Sequence, residues 1–236
     1  MRSAGEATGP LKEYVYNEIL DEIFAGELPP GSILNEKALI EKYQCSKSPV
    51  REALLSLCSE NVLRSIPRYG YEVVRLTRQD IDEMIRFRIV LESGFLRLGI
   101  ERFTEADLQL LEEINGKCML PEADLWAHWE YNTEFHTAMM RIAGNNYAAE
   151  ELTRCMNQMK RAYALAYHNR KFPEPRAYTV DTRHHTQIIE ALRRKDAEEA
   201  CRLLREDFLD FGGADELHSL YRAIDEDAGS RPDTDR

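Results

Sequence analysis

The sequence predicts a mainly α-helical protein, with a winged helix-turn-helix of three helices and a β-hairpin followed by an all-α bundle of six or so helices. Three observations favour this fold class. The chain has 236 residues, which is more than one small module needs. Strand-like alternation is confined to residues 62–76, and helical periodicity fills most of the remainder. We expect the first domain over residues 10–76, the second over 79–222 and a polar tail over 223–236.

Apolar spacing and residues typical of turns and caps define the first two helices. Apolar residues recur at helical spacing over residues 11–25, and Gly26 ends that pattern. The segment LPPGS, residues 28–32, has the composition of a turn. Asn35 is of a residue type that caps helices, so a short second helix is expected from there through Tyr43.

A third helix and a hairpin complete the predicted winged domain. Ser46 is expected to cap a helix over about 47–59, with Pro49 in its first turn, where a missing N–H costs nothing. The segment VLRSIPRYGYEVVRL, residues 62–76, then predicts two short strands around a PRYG tip. Three helices with a short turn before the third, followed by a hairpin, are typical of a winged helix-turn-helix.

The second domain is predicted from helix caps and apolar periodicity. Thr77 with Asp80, and Thr104 with Asp107, have capping-box spacing before apolar-periodic runs, and Asp196 is suited to cap the last helix. Helices are expected at 79–101, 104–115, 122–143, 147–170, 176–194 and 196–222.

The composition is that of a globular protein without a membrane span. Hydrophobic residues make up 43% and charged residues 31% of the chain, and no apolar run approaches the ~18 residues that a span needs. The start, MRSAGEATGP, has no apolar stretch of the signal-peptide type. The five cysteines are odd in number and scattered, which suits reduced thiols better than disulfides. We therefore expect a cytoplasmic protein with no membrane partner.

The distribution of charge matters more than the net charge of −11. The first 78 residues carry ten basic and eleven acidic side chains, so nearly all of the negative charge lies after them. Three basic residues and no acidic residue fall between Lys42 and Arg51. A local basic surface of this kind is what binding to the phosphates of DNA requires.

The segment SKSPVREALLSL, residues 46–57, has the character of a recognition helix. Such a helix inserts its N-terminal residues into the major groove, so donors must cluster in its first turn and a half. Lys47 and Arg51 are long enough to reach guanine, and Ser46 and Ser48 with the helix N-terminus can hold a phosphate. Arg68 at the wing tip could lie along the minor groove. Charge alone favours an ordinary amphipathic helix whose charged side chains are solvated.

The residue pattern is more specific than the charge. The LPPG turn, the SKSPVREAL core and the R-Y-G wing resemble the GntR family of transcription regulators, whose usual core is S-R-T-P-V-R-E-A-L. Lysine in place of the usual arginine at Lys47 lacks a bidentate fork, so guanine discrimination there is expected to be weaker. The resemblance implies that seven residues contact double-stranded DNA, namely Lys37, Ser46, Lys47, Ser48, Arg51, Arg68 and Gly70.

The second domain resembles the FCD effector domain of the FadR-type GntR subfamily. The matching segments are RFRIVLESGFLRLGIER (86–102), EYNTEFHTAMMRIAGNNY (130–147) and HHTQIIEALRRKDAEEACRLLREDF (184–208). Members of that subfamily often bind a divalent metal through one Asp and three His residues, and the metal then helps to hold a carboxylate effector.

The metal-ligand positions carry over with two changes. The Asp position holds Asn132, the first two His positions hold His136 and His185, and the last His position holds Asp207. These donors still suit Zn²⁺, Ni²⁺, Mn²⁺ or Fe²⁺, with weaker or effector-dependent binding because an amide oxygen is a poorer donor than a carboxylate. The alternative is a polar pocket in which the two histidines bind an anion directly. His184 is a possible decoy, since adjacent helical positions point about 100° apart.

The resemblance also places an effector-binding residue. Arg88 falls on the arginine of the subfamily's first effector-domain helix, where it would pair with a carboxylate if it faces the interior. The alternative is a surface ion pair. We expect a small carboxylate or sugar acid as effector.

These expectations combine into a ligand-responsive regulator, not an enzyme, that acts as a repressor and binds a short palindromic operator as a homodimer. One alternative is a constitutive DNA-binding protein whose helical domain only dimerises. Another is a helical domain that acts as a metalloenzyme.

Overall fold

The computed structural model describes residues 8–118, 125–168 and 178–210, together with Tyr221 and Ile224. Its first domain contains α1 (Thr8–Phe24), β1 (Ile33–Leu34), α2 (Glu36–Tyr43), α3 (Lys47–Ser59), β2 (Leu63–Ile66) and β3 (Gly70–Val73). The second contains α4 (Arg78–Gly99), a 3-10 turn (Ile100–Arg102), α5 (Glu105–Cys118), α6 (Leu125–Ile142), α7 (Asn146–His168), α8 (Tyr178–Arg193) and α9 (Ala197–Asp210). The predicted fold class, a winged helix-turn-helix followed by a helical domain, is confirmed.

The winged domain packs its three helices against a small antiparallel sheet. The strand order is β1–β3–β2, and Leu34 pairs with Tyr71 where β1 joins the sheet. Only the β2–β3 hairpin was predicted, because two residues are too few for β1 to show any alternation. The buried core of this domain includes Val15, Ile19, Val50, Ala53, Leu54, Leu57, Leu63 and Val73.

Helix caps confirm one predicted start and correct another. The Asn35 side chain accepts hydrogen bonds from the backbone N–H groups of Lys37 and Ala38, as expected of an N-cap. Ser46 occupies the N-cap position of α3, but its hydroxyl makes no capping hydrogen bond. The physical reason is Pro49 at the third helical position, because proline has no N–H to donate where an N-cap oxygen would accept one.

Three helices of the bundle begin where the predicted caps placed their starts. Thr77 and Asp80 form a capping box at the start of α4, and the Thr104–Asp107 pair repeats the same bonds before α5. Asp196 accepts the Glu199 N–H at the start of α9. The predicted extensions into 119–124, 169–177 and most of 211–222, and the tail over 223–236, lie outside the described residues.

Packing brings the helices that carry the expected ligands together. Helix α8 packs on α5 and α9, and α4 packs on α6, α7 and α9. The core between them is built from aromatic, methionine and aliphatic side chains, among them Phe135, Met139, Leu152, Met156, Ile188, Leu204 and Phe208. Polar groups placed inside this core are therefore shielded from water.

Candidate functional site

Helix α3 buries one face and presents the other to solvent. Val50, Leu54 and Leu57 have no exposed surface, which fixes the rotation of the helix against the winged domain. On the outer face the N-terminal donors expected to contact DNA are all exposed, namely Ser46, Lys47, Ser48 and Arg51. The structure therefore gathers the predicted residues at one end of an exposed helix.

The winged domain carries cations that no acidic group neutralises within the described part of the chain. Lys37 on α2, Arg51 on α3 and Arg68 in the wing are exposed, and none of them forms an ion pair there. An exposed cation without a protein partner keeps its full charge for a phosphate or a base edge.

Two other residues of this surface already have partners. Lys47 Nζ lies 3.6 Å from Glu36 Oε1, and the Ser48 hydroxyl donates to Glu52 Oε1 at 2.7 Å. A contact with DNA at either residue would have to replace these exposed interactions, which are individually weak. Of the two basic residues on α3, Lys47 has an acidic partner and Arg51 has none within the described residues.

The wing tip holds an unusual backbone and an exposed aromatic ring. Arg68 adopts φ 71° and Gly70 φ 133°. A Cβ at Gly70 would lie 2.3 Å from the Leu34 carbonyl oxygen, so the close approach of β1 requires glycine there. Tyr69 between them is 73% exposed, and the sequence reasoning did not single it out although it forms part of the PRYG tip.

A buried polar cluster lies inside the helical bundle. His136 on α6, His185 on α8 and Asp207 on α9 place one ligand atom each within 4.8 Å of one another. His136 Nε2 lies 3.3 Å from Asp207 Oδ2, and His185 Nε2 lies 3.9 Å from Asp207 Oδ1. Asn132 is one turn before His136 on α6 and is only 7% exposed. The structure therefore brings three of the four expected ligands into direct proximity and places the fourth on the same helix face.

Some atoms of this cluster are buried without a hydrogen bond. They are Asn132 Oδ1 and His185 Nε2, whereas His136 Nε2 faces the Asp207 carboxylate at 3.3 Å. A buried polar atom without a partner costs about 1–3 kcal/mol, so two of them beside His136 and Asp207 favour a bound ligand. Two imidazole nitrogens, an amide oxygen and the Asp207 carboxylate form a donor set that fits a divalent transition metal.

Both histidines are oriented by a partner on the opposite ring nitrogen. His136 Nδ1 donates to Glu92 Oε2 at 2.8 Å, and His185 Nδ1 donates to Asn115 Oδ1 at 3.1 Å. The Phe135 ring also stacks on the His185 ring at 3.9 Å between centroids. Because Nδ1 is held by a hydrogen bond, Nε2 of each histidine is directed at the cluster. Metal-binding histidines are usually oriented in this way, by a hydrogen bond on the ring nitrogen that does not bind the metal.

The two histidines differ in their pKa. Burial is the largest single influence and opposes the charged form of His136, but the Glu92 and Asp207 carboxylates together raise the pKa of His136 above its usual value. Burial and the positive charge of His136 together lower the pKa of His185 well below its usual value. Arg88 and His136 in turn overcome the effect of burial on Glu92 and lower the pKa of its carboxyl. His185 is therefore neutral near pH 7, the form in which imidazole binds a metal.

Arg88 faces the interior of the bundle. It is 1% exposed, its Nε donates to Glu92 Oε1 at 2.9 Å, and its guanidinium lies 4.2 Å from the centre of the Phe208 ring. The alternative of a surface ion pair is therefore wrong. Arg88 Nη2 is buried without a hydrogen-bond partner, so one donor of the guanidinium is available to an anionic ligand.

Two residues near the cluster modify the sequence-based expectation. Glu92, which links Arg88 to His136, was not predicted, although the Arg88-x-x-x-Glu92 spacing was a visible signal for it. His184 is buried on α8 but does not belong to the three-residue cluster, as its position next to His185 suggested.

Within the described ranges, no helix is both long enough and apolar enough to cross a membrane.

Comparisons with known proteins match both halves of the chain. Residues 11–73 match the model of bacterial regulatory proteins of the gntR family, and residues 83–209 match the FCD domain. The chain is 28% identical to an uncharacterized HTH-type transcriptional regulator, YdhC, of Bacillus subtilis, over 78% of this chain and 82% of that protein. It is also 28% identical to the gluconate operon transcriptional repressor of Bacillus licheniformis, over 83% of this chain and 81% of the repressor.

A solved structure with a similar fold is that of E. coli McbR/YncC. It superposes with a TM-score of 0.71 at 26% sequence identity, over 90% of this chain and 97% of that chain.

Proposed function

Because the chain belongs to the GntR family of bacterial regulatory proteins and carries an FCD domain, it is a DNA-binding transcription regulator with an effector domain. We propose that it acts in the cytoplasm as a homodimeric, ligand-responsive repressor without enzymatic activity. In this proposal two winged domains bind a short palindromic operator, and a ligand in the helical bundle changes the affinity for that operator. The naming of one relative as a gluconate operon repressor supports both the repressor role and a sugar acid or small carboxylate as effector.

The observation that supports the sensing role is the buried cluster, in which Asn132 Oδ1 and His185 Nε2 have no hydrogen-bond partner. Asn132, His136, His185 and Asp207 would hold a divalent metal such as Zn²⁺, Ni²⁺, Mn²⁺ or Fe²⁺. When bound, the metal supplies a Lewis-acidic centre that attracts a carboxylate. Arg88 contributes a buried donor for the same anion, since Glu92 engages its Nε and leaves Nη2 without an acceptor.

The DNA contacts follow from the exposed cations and the recognition helix. We propose that Arg51 contacts base edges, that Lys37, Ser46, Lys47 and Ser48 position the phosphate backbone, and that the wing approaches the minor groove through Arg68. The backbone at Gly70 shapes the wing tip. Because every phosphate contact releases counterions, binding should weaken steeply with salt.

Selection of binding sites from random double-stranded DNA tests this function. We expect the purified protein to enrich an inverted repeat, because a two-fold symmetric dimer reads two identical half-sites. The half-sites should be separated by a fixed number of base pairs. Enrichment of single, unpaired half-sites would contradict the dimeric mode, and no enrichment at low salt would contradict DNA binding itself.

An apolar stripe on α4 supports the homodimer. Phe87, Val90 and Leu98 are 42%, 74% and 81% exposed, and Gly94 lies between them on the same face at helical spacing. Contiguous exposed apolar residues mark protein–protein contacts, and glycine lets two helices approach closely. We propose that this stripe meets the same stripe of a second copy.

The double substitution Val90→Glu and Leu98→Glu should therefore produce monomers. Each copy would place two carboxylates in an apolar, symmetric contact, and the dimer Kd should rise at least ~100-fold, which is about 2.7 kcal/mol. Light scattering coupled to size-exclusion chromatography measures the mass directly. Leu110→Glu, at a residue 45% exposed on α5, is the matched control and should remain dimeric. A dimer of unchanged stability in the double variant would place the interface elsewhere.

A further inference from the structure

Arg161 on α7 reaches from the helical bundle into the winged domain. Its Nη2 donates to the Asn61 carbonyl oxygen at 3.0 Å, and its Nη1 donates to the Val62 carbonyl oxygen at 3.3 Å. The residue is only 6% exposed. A buried guanidinium thus bridges two segments about a hundred positions apart in the sequence.

The segment that Arg161 binds directly follows the recognition helix. The N–H groups of Asn61 and Val62 bond to the carbonyls of Cys58 and Leu57, and Asn61 adopts φ 55°. This is the Schellman arrangement that closes a helix C-terminus. A cation is favoured at such an end because the helix dipole is negative there. Arg161 therefore holds the recognition helix by its C-terminal turn, opposite the end that faces DNA.

Burial makes the charged form of the Arg161 guanidinium energetically unfavourable. Burial lowers the pKa of Arg161 to about 10, while Glu60 and Tyr16 act in the opposite direction. The Tyr16 hydroxyl donates to Glu60, and both groups are close enough to Arg161 to act on its pKa. Arg161 Nε remains buried without a hydrogen-bond partner. A buried charge with an unused donor is weak evidence for stability, and such groups can instead specify one arrangement of the parts they join.

The junction around Arg161 has room to repack. A cavity of about 90 Å³ lies beside it, lined among others by Ile23, Pro30, Val74 and Ala162. Well-packed contacts resist displacement, whereas an incompletely filled junction permits a second packing.

Helix α7 also touches the helix that carries the effector-site residues. The Cys155 thiol approaches the Met84 carbonyl oxygen of α4 at 3.9 Å, and the charges of Arg88 and Glu92 are close enough to act on its pKa. Helix α7 therefore contacts α4 through Cys155, beside the buried cluster, and contacts the turn that follows α3 through Arg161. A displacement of α4 by a ligand has a direct structural connection to the winged domain.

We propose that Arg161 is a positioning residue that fixes the winged domain on the effector domain, and so sets the half-site spacing that the dimer accepts. This inference rests on the proposed function, because it presupposes binding to two half-sites. Arg161 contacts no DNA in this account and acts through the orientation of α3.

Arg161→Met tests the proposal, because methionine keeps an apolar stem and removes both hydrogen bonds. Site selection and affinity measurements on operators with altered spacing provide the readout. Winged domains that are fixed in place are pre-organised to bind both half-sites at once. If a winged domain is loosely held, its effective concentration at the second half-site is lower. We expect ~10-fold weaker binding at the preferred spacing and a nearly flat response to insertion or deletion of one base pair.

Controls separate positioning from general damage. Arg154→Met removes an exposed arginine of the same helix, whose partner is Glu151, and should retain the wild-type spacing preference. Arg161→Lys keeps the charge and should restore much of the discrimination between spacings. If Arg161→Met does not fold, Arg161→Lys and Arg161→Gln are compared in its place.

The outcomes distinguish this inference from the proposed function. Wild-type protein that selects no paired half-sites would overturn the dimeric regulator itself. Wild-type protein with a defined spacing, together with folded Arg161 variants of the same affinity and the same spacing preference, would overturn only the role of Arg161.

Discussion

Replacement of Arg51 by alanine is expected to abolish specific operator binding. Arg51 is exposed near the N-terminus of α3 and has no ion pair within the described residues, so its charge is available to DNA. One bidentate contact to guanine contributes ~1–3 kcal/mol of discrimination, and a dimer makes the contact twice. The combined loss of ~2–6 kcal/mol corresponds to roughly 30- to 20,000-fold weaker binding.

Fluorescence anisotropy with a labelled operator measures this loss at several salt concentrations. Arg202→Ala is the matched control, because Arg202 is an exposed arginine of α9 that pairs with Glu199 and Glu206. The control should bind like the wild type. If Arg51→Ala retained wild-type affinity and specificity, the assignment of α3 as the recognition helix would be wrong.

Replacement of Asp207 by asparagine is expected to remove metal binding while leaving the fold intact. Asp207 is the one carboxylate among the four proposed ligands, and asparagine has nearly the same volume. Loss of a charged ligand should weaken metal binding by ~100-fold or more, since changes even to outer partners cost 10–100-fold. At a hundredfold excess over Kd the metal stabilises the wild type by ~2.7 kcal/mol, or roughly 5–10 °C in Tm.

Thermal unfolding with Zn²⁺ or Ni²⁺, before and after chelation by EDTA, measures this effect. The wild type should lose several degrees of Tm on chelation, and Asp207→Asn should show no such difference. Glu206→Gln, at the adjacent half-buried position of the same helix, should behave like the wild type. A metal-induced shift of unchanged size in Asp207→Asn would show that the ion binds elsewhere.

The parts of the fold that the sequence predicted are those with a local physical cause. The Thr77–Asp80 and Thr104–Asp107 boxes mark helix starts through bonds that span three residues, so their spacing alone reveals them. Strand β1 was missed because its pairing with β3 arises from a contact far along the chain. Ser46 was placed correctly, but its hydroxyl has no N–H donor at Pro49.

The candidate site shows the same division between local and long-range information. The four candidate ligand positions were expected from the resemblance to the family's effector domain, and the spacing of Asn132 and His136 added only that these two share a helix face. Glu92 was not predicted because an Arg–Glu pair four residues apart on a helix usually lies on the surface. Only the packing of α4 in the bundle shows that the Arg88–Glu92 pair is buried. Arg161 could not be predicted at all, since its partners belong to the other domain.

We propose that occupancy of the buried cluster is coupled to operator binding. The test is the operator affinity of the wild type and of Asp207→Asn, each with and without Zn²⁺ and with gluconate or other small carboxylates added. We expect a change of at least ~5-fold for the wild type, which is a typical allosteric coupling, and none for Asp207→Asn. If the wild type binds both metal and acid while its operator affinity stays the same, the proposed coupling is wrong.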